Sequence, residues 1–219
     1  MAKKIYISPS DQDANKYAVG NTNEMVQCQR ISTALVKALK QCGFEAMDNQ
    51  TDSMEDRVYE SNRWGADLHI PVHTNAFNGE VMGTRLMCLE FGGEGHKACK
   101  AIMETLAPIT PGTSDSITER PGLYEVRCAK AYTVYVEVAF HDNETEARWI
   151  IDHVEDIAEA ICKGVCNYYG YKYVAPVDDT PKTAYRVQVG YFFNKENAER
   201  LSKELKDKGY PSIIKEEVR

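Results

Sequence analysis

The chain has 219 residues, 43% of them hydrophobic and 27% charged, so it suits one medium-sized domain with at most a small appendage. Its net charge of −7, without a cluster of Lys and Arg, argues against a nucleic-acid partner. No apolar run approaches the roughly 18 residues that a membrane span needs, so no membrane partner is expected.

Cysteine usage and the N-terminus predict the compartment of synthesis. The cysteines are seven: Cys28, Cys42, Cys88, Cys99, Cys128, Cys162 and Cys166. The odd number and mostly apolar surroundings predict free buried thiols, and the absence of a Cys-x-x-Cys pair argues against a structural zinc site of that type. No signal peptide is visible before the first strand, so we expect synthesis in a reducing cytoplasm.

Strand and helix patterns alternate through the first 170 residues. The periodicity predicts strands at 4–8, 44–47, 68–73, 83–91, 123–127 and 133–140. It predicts helices at 23–41, 52–65 and 95–106, and one last helix that starts at Asn143, with Glu146 at capping-box spacing. This alternation predicts a three-layer α/β/α sandwich with a mostly parallel, twisted sheet over residues 1–172.

The C-terminal part reads as a separate element. Residues 173–183 have the composition of a linker, with two prolines, two acids and no periodicity. Residues 184–219 then predict a short β-α-β appendage, with strands at 185–193 and 212–215 around a helix at 194–209. A unit of this size cannot bury both of its faces.

Two histidines lie on one row of the 68–73 strand. His73 ends this apolar strand next to a turn-forming loop, where open α/β sheets place their chemistry, so it is a candidate metal ligand. The alternative is a histidine bonded to a loop carbonyl. His69 lies deeper on the same row, and we expect it to be a core residue.

Two glutamates are further candidates. Glu137 sits inside an apolar strand, so its carboxylate must be paired (for example with Arg127), bound to a metal or protonated, and it is well placed to be a general base. Glu24 opens the first long helix. It is either part of a capping box with Asn21 as N-cap or a metal ligand at the mouth of the sheet. His141 follows the Glu137 strand and contacts either substrate, metal or a neighbouring loop.

Taken in order, these motifs resemble a known family. Ser8-Pro9 ends the first strand, Asn23-Glu24 opens a helix, and the motifs Asp67-Leu-His-Ile-Pro-Val-His-Thr-Asn-Ala76 and Val136-Glu137-Val-Ala-Phe140-His-Asp-Asn143 follow. The chain resembles the zinc-dependent N-acetylmuramoyl-L-alanine amidases of the amidase 3 family over roughly residues 3–170. The resemblance implies a peptidoglycan hydrolase that cleaves the amide between N-acetylmuramic acid and L-alanine.

The resemblance also implies roles for individual residues. Glu24 and His73 match two zinc ligands of the family, and Glu137 matches its catalytic glutamate. Asn75, His141 and Arg127 are then expected to bind substrate.

The family's first zinc ligand is missing. A histidine is usual after the first strand, but its position falls on Asp11, with Gln12 beside it. Either oxygen-bearing side chain would be a weaker zinc ligand than imidazole, and His141 is a possible substitute. The alternative function is a non-catalytic peptidoglycan-binding relative with a degenerate metal site.

The motifs Tyr185-Arg-Val-Gln-Val-Gly190 and Asn197-Ala-Glu-Arg-Leu201 of the appendage resemble the opening of a SPOR domain, a module that binds glycan strands of peptidoglycan. Because no signal peptide is visible, we expect an endolysin or autolysin that reaches the cell wall after holin release or cell lysis.

Overall fold

A computed structural model describes residues 2–50, 53–175, 188–210 and 212–216. The chain divides into two compact units, Met1–Val177 and Asp178–Arg219. Within the described residues, no helix is long and apolar enough to cross a membrane.

The first unit is built on one seven-stranded sheet. Its strands are β1 (Lys4–Pro9), β2 (Glu45–Asp48), β3 (Leu68–Asn75), β4 (Arg85–Cys88), β5 (Ser116–Glu119), β6 (Tyr132–Thr133) and β7 (Tyr135–Phe140). The strand order is β2-β1-β3-β7-β4-β5, with β6 also paired to β3. Only the β4–β7 pairing is antiparallel, so the mostly parallel sheet that the sequence predicts is confirmed.

Helices cover both sides of the sheet. They are α1 (Glu24–Gln41), α2 (Met54–Trp64), α3 (Glu94–Leu106), α4 (Tyr124–Cys128), α5 (Glu144–Asp152) and α6 (Val154–Tyr169). Helix α6 packs against both α1 and α3, and α2 packs against α4. The predicted apolar face of α1 is buried in the core: Cys28, Ile31, Leu35 and Ala38.

Several local predictions are wrong. Residues 123–127 do not form the predicted strand but lie largely in helix α4. The consecutive residues Glu125 and Val126 are both buried, whereas successive side chains of a half-buried strand alternate between its buried and exposed faces. The last helix is two helices, because His153 leaves the helical conformation at φ −123° and ψ 33°. The predicted strand at 83–91 is only four residues long, and β5 was not predicted.

The start of α1 also differs from the capping-box alternative. Asn23, not Asn21, is the N-cap, and its side chain accepts a hydrogen bond from the Val26 N–H. Asn21 has a φ of 48° in the turn before it. Glu24 is therefore the first helical residue, and its carboxylate is free to face the sheet.

The second unit contains one described helix, α7 (Lys195–Asp207), capped by Asn194 as the sequence predicts. The described parts of the predicted flanking strands, residues 188–193 and 212–215, are not strands, and residues 185–187 lie outside the described residues. Large apolar side chains such as Phe193 and Ile213 stay exposed, as expected of a unit too short to bury both of its faces. The predicted linker is described only as far as residue 175.

Glu146 holds together the loops around the end of β7. Its carboxylate accepts hydrogen bonds from the backbone N–H groups of Gly83 (2.8 Å), Gly112 (3.2 Å) and Phe140 (2.7 Å). A Cβ at Gly112 would meet the Gly83 nitrogen at 2.2 Å, so only glycine allows this approach. Asn143 caps α5 as predicted. The Glu146 carboxylate, predicted to complete the capping box, instead accepts hydrogen bonds from these three backbone N–H groups.

We predict that Glu146→Ala lowers the free energy of unfolding by about 3 kcal/mol or more, because three buried N–H groups lose their acceptor at about 1–3 kcal/mol each. Glu144→Ala, an exposed neighbour in the same helical turn, should change it by less than about 0.5 kcal/mol. Urea unfolding measures both values. Equal losses in the two variants would contradict this role of Glu146.

Candidate active site

The candidate residues meet at the carboxyl ends of three adjacent parallel strands. β1, β3 and β7 lie side by side, and His73 is paired in register with Glu137. Glu24 reaches this edge from the first turn of α1. Ligand sites of open α/β sheets lie at this edge because the loops that follow parallel strands all emerge there.

Glu24 and His73 form the centre of the site. His73 Nδ1 lies 2.8 Å from Glu24 Oε1, and both side chains are buried. Burial alone would raise the pKa of Glu24, but the hydrogen bonds from His73 and Asn15 hold it below its ordinary value. Burial alone would lower the pKa of His73, but the hydrogen bond to Glu24 and the charge of Glu137 raise it. The two side chains therefore stabilise each other as an ion pair.

Glu137 lies beside this pair without an equivalent partner. Its Oε2 atom is buried and has no hydrogen-bond partner among the residues that the structure describes. Burial raises the pKa of Glu137 to about 7, with the His73 charge opposing that rise and the Glu24 charge adding to it. Its carboxyl group can therefore both accept and release a proton near neutral pH. Arg127 lies exposed on α4, and no ion pair joins it to Glu137 within the described residues.

The loop after β1 brings Gln12, not Asp11, to the pair. Gln12 Nε2 lies 3.4 Å from His73 Nδ1. Asn15 Nδ2 bridges the two partners, donating to Gln12 Oε1 (3.0 Å) and to Glu24 Oε2 (2.6 Å). Asp11 Oδ2 instead lies 3.6 Å from Arg57 Nη2. The side chain of this loop that lies beside His73 is therefore a carboxamide, and the Asp11 carboxylate pairs with Arg57.

A buried polar network lies behind His73, and sequence reasoning missed it. Glu125 Oε2 is 4.0 Å from His73 Nε2, and its Oε1 is 3.2 Å from His69 Nε2. Ser8 Oγ donates to the same carboxylate and accepts from Arg57 Nε at 3.0 Å. Burial would raise the pKa of Glu125, but the hydrogen bond from His69 keeps it low. The sequence signal that could have identified Glu125 is its position in a short apolar segment, the same signal that singled out Glu137.

His69 is a core residue, as the sequence predicts. It is fully buried, lies 3.0 Å from Ser61 Oγ through Nδ1, and stacks on Tyr6. Tyr135, which the sequence did not single out, stacks on the His73 ring at a centroid distance of 4.6 Å.

The remaining predicted residues lie further from the centre. His141 is buried, with Nδ1 3.0 Å from both Thr74 oxygens, and its ring stacks on Tyr17. The predicted loop contact is wrong in its partner, because His141 is bonded to the neighbouring strand β3. Asn75 ends β3 half-buried, and its side chain accepts a hydrogen bond from the Ala76 N–H.

The donor set suits a divalent cation. The His73 imidazole and a Glu24 carboxylate oxygen lie side by side, and the carboxylates of Glu24, Glu125 and Glu137 all act on this one imidazole. The Gln12 atom nearest to His73 is the amide nitrogen Nε2, so metal binding through Oε1, which accepts a hydrogen bond from Asn15, requires the side-chain amide to turn. The Glu137 Oε2 atom has no hydrogen-bond partner among the described residues, although the His73 charge acts on its carboxyl group. Zinc accepts nitrogen and carboxylate ligands of these types, although a carboxamide is the weakest of the three.

Comparison with known proteins identifies the family of the chain. Residues 5–167 match the family model described as N-acetylmuramoyl-L-alanine amidase, and residues 181–219 match the SPOR domain. A similar curated protein is the sporulation-specific N-acetylmuramoyl-L-alanine amidase of Bacillus subtilis (strain 168), 23% identical, with 96% of this chain and 84% of that protein aligned.

Solved structures show the same fold. The catalytic domain of the amidase CwlV from Bacillus (Paenibacillus) polymyxa var. colistinus superposes with a TM-score of 0.69 at 16% identity, covering 78% of this chain and 99% of that one. The amidase AmiC2 of Nostoc punctiforme gives a TM-score of 0.67 at 17% identity, covering 77% and 97%. The chain therefore belongs to the N-acetylmuramoyl-L-alanine amidase family and is a peptidoglycan amidase that acts on the cell wall.

Proposed function

We propose that this amidase hydrolyses the bond between N-acetylmuramic acid and L-alanine with a zinc ion held by Glu24, His73 and Gln12, and with Glu137 as general base. The observation that carries the proposal is the buried, unpartnered Glu137 oxygen beside the Glu24–His73 pair. When bound there, zinc supplies a Lewis acid that polarises the scissile carbonyl and lowers the pKa of water.

The chain's own residues would fix and tune this site. Asn15 orients Gln12 and Glu24 together, because its single amide nitrogen bonds to both. Glu125 faces the far nitrogen of His73, and Tyr135 covers the ring face, so the imidazole is held in one orientation. Arg57 engages Asp11, which argues for Gln12 as the third ligand.

Glu137 would move the proton of the reaction. Its carboxylate accepts a proton from the attacking water and passes it to the leaving amine of L-alanine. A pKa near 7 suits both steps, since the group then changes protonation state at little cost at neutral pH. Burial keeps bulk water away from its Oε2 atom.

Substrate contacts are proposed for the rim of the site. Asn75 at the end of β3 and the exposed Arg127 on α4 are accessible to a peptidoglycan strand. The enclosed His141 is better suited to hold Thr74, which is next to His73 in β3.

We also propose that residues 184–219 bind the wall next to the amidase domain, residues 1–172. The SPOR match supports this, as do the exposed aromatic side chains of Tyr191 and Phe193, which suit stacking on sugar rings. That this protein is an endolysin or autolysin, released to the wall by a holin or by cell lysis, stays a prediction.

We predict that Glu137→Gln slows lysis of purified sacculi by a factor of about 10²–10⁴, because the amide cannot accept the proton. Turbidity loss and the release of new amino termini measure the rate. Glu144→Gln, an exposed glutamate on α5, is the matched control and should lyse normally. Undiminished lysis by the Glu137 variant would contradict its role. Binding to sacculi without lysis by the unmodified protein would favour the non-catalytic alternative.

The same substitution should stabilise the metal-free protein at alkaline pH. Because burial raises the pKa of Glu137 from an ordinary 4.5 to about 7, the folded state holds its proton more tightly than the unfolded state. The contribution of Glu137 to the stability of the unmodified protein therefore falls as pH rises from about 4.5 to about 7, by roughly 3 kcal/mol. In a chelator, Glu137→Gln should be more stable than the unmodified protein at pH 8 and equal to it at pH 4. Equal stability at both values would contradict the buried charge.

Two neighbouring substitutions separate the possible third ligands. Gln12→Ala should raise the free zinc concentration that gives half-maximal lysis, whereas Asp11→Ala should leave it nearly unchanged. Gln12→His should lower it by about tenfold or more, because imidazole is a stronger zinc ligand than a carboxamide. Lysis in zinc buffers measures all three. A large effect of Asp11→Ala with none of Gln12→Ala would reverse the assignment.

A further inference from the structure

Three buried thiols form a second cluster of reactive side chains. Cys42, Cys162 and Cys166 place their Sγ atoms all within 4.8 Å of one another, and those of Cys42 and Cys162 are 3.7 Å apart. We call these three residues the thiol cluster. It is the one group of three or more His, Cys, Asp or Glu side chains within metal-sharing distance in the part of the chain that the structure describes.

The thiol cluster lies where two helices and a chain segment meet. Cys42 caps the end of α1, and Cys162 and Cys166 are one turn apart on α6, which packs against α1. Val174, beyond α6, donates its N–H to Cys42 Sγ at 3.3 Å, and its carbonyl oxygen lies 3.6 Å from the same sulfur. Residues 120 or more positions apart are thereby joined at one point.

The spacing of the sulfurs suits a thiophilic metal ion. Zinc–thiolate bonds of about 2.3 Å in a tetrahedron place neighbouring sulfurs about 3.8 Å apart. The Cys42–Cys162 distance of 3.7 Å already matches this edge. The third sulfur lies within 4.8 Å, a gap that small side-chain rotations close.

A disulfide explains the arrangement less well. It would join only two of the three sulfurs, at about 2.05 Å, and leave the third thiol beside it. Cys162 and Cys166 both project from one face of α6 towards Cys42, so the three side chains converge on a common point. Such convergence is what a shared central ion requires.

We propose that the thiol cluster is a structural site for a thiophilic metal ion of the zinc class, separate from the catalytic site. Glu24 and Cys42 stand at opposite ends of α1, an 18-residue helix about 27 Å long, so one ion cannot serve both sites. The bound ion would fasten the segment at Val174 to the α1–α6 contact, with the Val174 carbonyl or water beside it as fourth ligand.

The burial of the thiols sets which ions can bind. Burial raises the pKa of the Cys166 thiol to about 12, and it raises that of Cys162 as well. Cys162 and Cys166 therefore each lose a proton to solvent as the metal binds, and binding weakens at low pH. Only ions with strong bonds to sulfur offset this cost, which excludes magnesium and calcium.

Cobalt(II) is the probe that tests the site, because thiolate–cobalt bonds absorb in the near ultraviolet and carboxylate or imidazole bonds do not. The full chain carrying Glu24→Ala and His73→Ala, reduced and freed of metal, is titrated with cobalt(II). We expect one equivalent to produce thiolate charge-transfer absorption that zinc then abolishes. Absence of this absorption would overturn the proposal, whatever the variants below show.

Variants then assign the absorption to particular thiols. Cys162→Ala and Cys166→Ala, each added to the same background, should lose most of it. Cys128→Ala is the matched control, since Cys128 lies outside the cluster, and it should keep the full signal. Circular dichroism checks that each variant folds. A signal that survives both cluster variants would place the metal elsewhere and contradict the assignment.

Discussion

The charge pair between Glu24 and His73 is the interaction on which the site depends. Three carboxylates, those of Glu24, Glu125 and Glu137, surround one buried imidazole. Burying charged groups is costly unless each has a partner of opposite charge or a hydrogen bond. These side chains have such partners because the strands and helices that carry them meet at one edge of the sheet. Glu24 is compensated by His73 and Asn15, and Glu125 by His69 and Ser8. Glu137 keeps one oxygen without a hydrogen-bond partner among the described residues, and it is the residue that we propose as general base.

The fold supplies this meeting point through strand order rather than through sequence proximity. β3 lies between β1 and β7, so residues from the first, middle and last thirds of the amidase unit become neighbours. The loop after β1 then decides the third ligand. Arg57, a buried residue of α2, forms an ion pair with Asp11. Asn15 donates hydrogen bonds to both Gln12 and Glu24 and so holds them close together. Gln12 therefore lies beside the Glu24–His73 pair, whereas Asp11 pairs with Arg57.

Helix α1 connects two sites of opposite character. Its first residue carries a carboxylate into a polar, negatively charged pocket, and its C-cap carries a thiol into the core. The first site needs access for a peptidoglycan strand and tolerates an uncompensated carboxylate as part of its chemistry. The second is enclosed by α6 and the chain up to Val174, which suits a structural role.

The sequence by itself determined the fold class, most helix and strand positions, and the identity of His73, Glu24 and Glu137 as candidates. The fold class follows from local periodicity, and His73 and Glu137 stand out as polar residues in apolar strands; for Glu24, at the start of a helix, the resemblance to the amidase family supplied the role. It did not determine that α4 is a helix or that β5 exists, because short segments carry too little periodic signal.

Only the tertiary structure decided the partners of the polar side chains. The choice between Gln12 and Asp11, the Glu125 network behind His73, and the convergence of Cys42 with Cys162 and Cys166 all join residues far apart in the chain. The physical reason is that hydrogen bonds and metal–ligand bonds act over about 2–4 Å. Such distances between remote residues are set by how strands and helices pack, and no local pattern encodes them.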